Sequence, residues 1–163
     1  MAKPLYTAKQ RQKVIARALE AVEARIAGRS MFTVQQQTFF LNKGGLCDRF
    51  IRQVFETALG LPATTWEFAA PSATSTLNHL RRRGYEVSMD DLQAGDIVGH
   101  TGGQYGHIVL YLGEPYGDGR RLVAENTSAT RGFPEKPGTK ITRLAVVLAL
   151  GYRYRAYRLF PTD

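Results

Sequence analysis

The hydrophobic period changes once along this chain, at "DDLQAGD" (residues 90–96), and that change restricts the fold more than any other feature. Before it, apolar residues recur at helical spacing. Residues 8–27 carry Ile15, Leu19, Val22 and Ile26 at offsets of 4, 3 and 4, with Gly28 as a C-terminal stop. Residues 46–59 carry Cys47, Phe50, Ile51, Val54, Phe55 and Ala58, closed by Gly60 and Pro62. A shorter helix is expected over 74–83, ahead of Gly84, and "VQQQTFF" reads as extended. After the change, "DIVGH", "HIVLYLG", "RLVAEN", "ITRLAVVLAL" and "YRYRAYRLF" read as strands between Gly, Pro and Asp turns. Helices followed by strands joined through short turns predict an α+β fold, with N-terminal helices packed on a central antiparallel sheet.

The 163 residues read as one domain, with a basic N-terminal helix over 1–30 and a core over 31–160. Lys9, Arg11, Lys13, Arg17 and Arg25 are expected to form a solvated face on that helix. No apolar run approaches the ~20 residues of a membrane span, so no transmembrane segment is expected. "MAKPLYTAKQRQKV" lacks the apolar core of a secretory leader. The net charge of +8 favours an anionic partner, with nucleic acid, anionic lipid and bacterial cell wall as the candidate classes. One cysteine excludes an internal disulfide framework and a multi-cysteine zinc site. The three histidines, His79, His100 and His107, match no recurring ligand spacing, so neither metal nor cofactor is expected.

The single thiol, Cys47, opens the second helix directly after Gly44, Gly45 and Leu46. The positive end of a helix and its free N–H groups stabilise an anion at that position. Gly44 and Gly45 allow unusual dihedrals and would let a substrate backbone come close. A thiol nucleophile needs a base that can later protonate a leaving amine, and imidazole suits the task. His107, at the mouth of the strand "HIVLYLG", is the preferred base. His79 lies beside "RRR" on a helix, and His100 lies in the loop after "GDIV". A polar residue must then orient the ring. The next strand offers two that point to opposite faces, Asn126 (preferred) and Glu125. "TSATRGFPEKPGTK", rich in turn-formers, reads as a mobile loop bordering the cleft.

The order of these pieces resembles the papain-like NlpC-type cell-wall peptidases and their relatives, the CHAP amidases. The resemblance is carried by "GGLCDRFIRQVFETALGLP", "LQAGDIVGH", "GHIVLYLGE" and "LVAENTS", about residues 44–128. It implies a papain-like core and hydrolysis of amide bonds in peptidoglycan, within stem peptides or at the sugar–peptide link. By the same resemblance Cys47 is the nucleophile, His107 the base and Asn126 the orienting residue. An oxyanion would be met by the Cys47 backbone N–H, with Asn42 as the candidate second donor. Peptidoglycan or another anionic wall polymer becomes the expected partner, reached outside the cytoplasm or through phage delivery. The chain departs from the family in having "L-C-D-R" where "D-C-S-G" is usual. Phe39, Phe40 and Leu41 stand where an upstream tyrosine is often found.

A second reading keeps the fold and drops the chemistry: an inactive or binding module that recognises an anionic polymer. The Arg/Tyr interleaving of "GYRYRAYRLF" is compatible with nucleic acid. Its alternation describes equally well an edge strand with one wet face, which is the preferred reading and makes nucleic acid a weak candidate.

Overall fold

A computed structural model of the chain describes residues 2–163. The fold has three longer helices, then a six-stranded antiparallel sheet, as the change of period requires. Helix α1 (Ala8–Ile26) starts at a reciprocal cap: the Thr7 hydroxyl accepts from the Gln10 N–H, and the Gln10 side chain accepts from the Thr7 N–H. Strands β1 (Met31–Val34) and β2 (Gln37–Phe40) form a hairpin. Its two-residue turn, Gln35–Gln36, takes positive φ at both positions, the twist that suits a tight hairpin. Helix α2 (Cys47–Leu59) ends on Gly60 in the left-handed conformation, and α3 (Ala73–Arg82) is capped by Ser72.

The sheet contains β3 (Glu86–Val87), β4 (Ile97–His100), β5 (His107–Gly113), β6 (Leu122–Thr127), β7 (Gly138–Arg143) and β8 (Arg155–Tyr157). Its spatial order is β3-β8-β4-β5-β6-β7. One face carries Ile97, Ile108, Leu110 and Ala124 and is covered by α1, α2 and α3, in a core that runs from Val14 to Phe160. The other face carries Val98, Val109, Tyr111 and Val123 and is partly covered by the short helix α4 (Leu144–Leu148). Among the described residues no helix is long and apolar enough to cross a membrane.

Three expectations about elements need correction. The buried stripe of α1 is Arg11, Val14, Ala18, Ala21, Val22 and Arg25, whereas Ile26 is exposed. Small alanines let the helix pack closely, and two of the basic residues are internal fasteners rather than a solvated face. The Arg25 guanidinium donates to the Thr139, Pro137 and Lys136 carbonyls, and Arg11 pairs with Asp163 and donates to the Pro161 carbonyl. "ITRLAVVLAL" is a strand only as far as Arg143. Leu144 and Val147, three residues apart, then bury one side of α4. Finally, β8 is an interior strand flanked by β3 and β4, so the Arg/Tyr tail forms no edge.

Candidate active site

Cys47 is the first residue of α2, half-buried, in a cavity of about 360 Å³. Gly45, Asp48, Ala73, Tyr105, His107 and Asn126 share that cavity. Thiol and imidazole therefore meet in one open groove, where α2 abuts the end of the sheet.

The strand register decides which polar residue reaches the histidine. Tyr111 pairs with Val123 and Leu110 with Ala124, so the odd-numbered residues of β5 and β6 share one face and the even-numbered ones the other. His107 and Glu125 fall on the same face, and Asn126 falls on the helix-facing side. His107 Nε2 donates to Glu125 Oε1 at 2.6 Å, which leaves Nδ1 for the Cys47 side. The hydrogen-bond partner of the imidazole is thus Glu125 and not Asn126.

Asn126 holds the loop that delivers the thiol. Buried to 1% exposure, its Oδ1 accepts from the Leu46 N–H at 2.8 Å, and its Nδ2 donates to the Lys43 carbonyl at 2.8 Å. These bonds fix both ends of the Lys43–Leu46 turn. Asn126→Ala leaves both backbone groups without their partner, at an expected cost of about 2–3 kcal/mol. The thermal midpoint should fall by about 5–10 °C in calorimetry. An unchanged midpoint would show that the loop is held by other contacts.

Sequence reasoning missed Arg131. Its Nη2 donates to Glu125 Oε1 at 2.7 Å, its Nε donates to Oε2 at 3.2 Å, and Nη2 also lies 3.2 Å from His107 Nε2. The loop after β6 is pinned for this purpose. Buried Lys140 on β7 donates from Nζ to the Ala129 and Arg131 carbonyls, and Phe133 bridges to Ile141. At Gly132, whose φ is +82°, a Cβ would lie 2.3 Å from Thr142 Oγ1. The segment expected to be mobile is thus tied to β7. No sequence signal singled out Arg131, because the need for a counter-charge appears only once β6 is seen to be buried along its whole length.

The titration behaviour follows from this geometry. Burial alone would depress the His107 pKa, but hydrogen bonding and charge from Cys47 and Glu125 outweigh burial and raise it to about 9. Burial alone would raise Glu125, yet His107 and Arg131 hold it down at about 2. At neutral pH the ring is therefore an imidazolium beside the sulfur, backed by an ionised carboxylate. His100 closes β4 rather than lying in a loop. It is buried, stacked on Tyr152 at 3.9 Å, and its pKa is lowered by burial and by the nearby His107. His79 lies on α3, outside the cavity.

The remaining expected residues divide. Gly45 lines the cavity and takes φ of +76°, a conformation that favours glycine. Gly44 is needed for a close approach, but to the chain itself: a Cβ there would lie 2.7 Å from Ser128 Cα and Thr127 O. Asn42 is exposed and borders a separate cavity with Arg25 and Pro134, so it does not face the thiol. In the first turn of α2 the Leu46 N–H is taken by Asn126 and the Phe50 N–H by the Leu46 carbonyl. The Asp48 and Arg49 N–H groups lie near the Asp48 carboxyl, whose pKa burial raises although those N–H groups oppose the rise. The Cys47 N–H has no hydrogen-bond partner among the described residues. Among the described residues no group of three or more His, Cys, Asp or Glu side chains is arranged to hold a metal ion.

No protein-family model matches the chain, and no curated protein is significantly similar to it.

Proposed function

We propose that this chain is a cysteine hydrolase of the papain-like NlpC type, cleaving amide bonds in peptidoglycan through Cys47, His107 and Glu125. One observation carries the reading. A thiol at a helix N-terminus shares an open cavity with an imidazole whose pKa, raised to about 9, keeps it protonated beside the sulfur. The net charge of +8 suits an anionic wall polymer.

The cycle uses the chain's own groups. The Cys47 thiolate, paired with the His107 imidazolium, attacks the amide carbonyl carbon. The oxyanion that forms is met by the Cys47 N–H and the positive end of α2. His107 gives its Nδ1 proton to the leaving amine, the C–N bond breaks, and a thioester remains on Cys47. The neutral imidazole then takes a proton from water, and the hydroxide equivalent attacks the thioester. The acid departs, and the thiolate–imidazolium pair is restored. Glu125 holds the ring throughout, and Arg131 holds Glu125.

The test is digestion of purified cell-wall sacculi by the intact protein, with mass spectrometry of the released material. Fragments carrying paired new amine and carboxylate ends are expected, and their rate of release should decline as pH rises through about 9, where His107 loses its proton. Sacculi that remain intact, or fragments ending in new reducing sugars, would overturn the reading.

A further inference from the structure

A second cavity, of about 340 Å³, lies between α3 and the β4–β8 pair. It is bordered by Asn78 and Arg81 from α3, by Arg153 and Arg155 from the C-terminal segment, and by Tyr157. Its charge is one-sided. Arg155 pairs with Glu86 at 2.9 Å. Arg81 has only the Asn78 side-chain oxygen, at 3.4 Å, and among the described residues Arg153 has no carboxylate partner. Tyr157 borders the same cavity as Arg81 and Arg155; burial and Glu86 raise the pKa of its hydroxyl, and both arginines oppose the rise. Gly99 makes the closeness of the two walls tolerable, since a Cβ there would lie 2.7 Å from Leu77 Cδ1 and 2.5 Å from the His107 carbonyl.

This cavity adjoins the thiol cavity. Ala73 borders the cavity of Cys47, and Leu77 and Arg81 border the basic one. Along a helix those steps rise about 6 and 12 Å. The loop between β4 and β5 serves both, with Thr101 and Gly102 on one side and Tyr105 and Gly106 on the other. An extended peptide advances about 3.3 Å per residue. A group two to four residues from an amide held over Cys47 would thus reach the arginines.

We propose that the pocket formed by Arg81, Arg153, Arg155 and Tyr157 binds a carboxylate borne by the peptide substrate two to four residues from the scissile amide. The planar forks of arginine match a carboxylate in two-point contact. Two guanidiniums without carboxylate partners beside a tyrosine hydroxyl supply more donors than the fold itself uses. The proposal rests on the hydrolase reading and names the substrate feature that the same groove selects.

The experiment uses two synthetic stem peptides, one with free carboxylates and one with them amidated. Binding to full-length Cys47→Ala protein is followed through the arginine side-chain Nε–H resonances, and cleavage by the wild-type protein is measured separately. The free acid is expected to shift the Arg81, Arg153 and Arg155 signals saturably, and the amidated peptide to bind more weakly. Adding Arg81→Gln and Arg153→Gln, both at exposed positions, should weaken the free acid about tenfold and leave the amidated peptide unchanged. Equal binding of the two peptides, or an unchanged affinity in the arginine variant, overturns the pocket. Cleavage of both peptides at one rate with silent arginines overturns the pocket and leaves the hydrolase standing. Saturable arginine shifts with neither peptide cleaved keep a carboxylate site at the arginines but overturn its stated place two to four residues from a scissile amide.

Discussion

Cys47→Ala protein should release no fragments from cell-wall sacculi above background, a loss of at least about 10⁴-fold. No other thiol exists in the chain to replace it. The surroundings should not substitute either: the His107 ring has its Nε2 engaged by Glu125, and in the proposed cycle it acts on water only after an acyl group has been transferred. The fold should survive, because Cys47 is half-buried at a helix end and its removal empties no sealed core site. The variant should also lose part of the elevation of the His107 pKa, since Cys47 is one of its causes. Its imidazole should titrate below about 9 when followed by NMR. Three readings therefore come from one protein: fragment release, the circular dichroism spectrum and the imidazole titration. Wild-type release by the alanine protein would remove the thiol from the chemistry altogether. Lost release with an unshifted imidazole would mean that the sulfur and the ring do not interact in solution.

The architecture was legible because it depends on period, and period survives in a single sequence. The three helices stand at 8–26, 47–59 and 73–82, close to where spacing and glycine stops placed them. Orientation was less legible. The stripe of Ile15, Leu19 and Ile26 outweighed Val14, Ala18 and Ala21 by hydrophobicity, yet the smaller residues face inward because they allow close packing against α2. Arg25 joins them because the carbonyls of Thr139 on β7 and of Pro137 just before it accept from its guanidinium. The same limit separates Glu125 from Asn126. Alternation shows that they face opposite ways, but only the pairing of Tyr111 with Val123 shows which way His107 faces. Register is a property of two strands, and it cannot be read from either one. Arg131 was out of reach for a related reason, since it comes from a loop whose course is set by Lys140 on the next strand.

Glu125 gives the second large effect, and here the charges determine its form. The carboxylate has no exposure to solvent and is shared by His107 and Arg131. Glu125→Gln keeps the size and an acceptor oxygen but removes the charge that both cations face. Activity should fall by about 10²–10⁴-fold, and the alkaline limb of the rate profile should move down from about 9, because the imidazolium keeps the Cys47 contact but loses the hydrogen bond and charge of Glu125. Stability should fall as well. His107 is raised from 6.5 to about 9, so its contribution is full below pH 6.5 and is lost as pH rises through about 9. Glu125 is lowered from 4.5 to about 2, so its contribution is full above pH 4.5 and is lost as pH falls through about 2. Between pH 4.5 and 6.5 both are present, and there the substitution should cost about 3 kcal/mol, or about 6–12 °C in thermal midpoint. Most of that cost is the Arg131 guanidinium left without its partner, its side chain only 15% exposed. Adding Arg131→Gln should therefore restore much of the stability and none of the activity. Recovery of both together would make Glu125 and Arg131 a structural pair with no hold on the imidazole, as would an unmoved alkaline limb in the single variant.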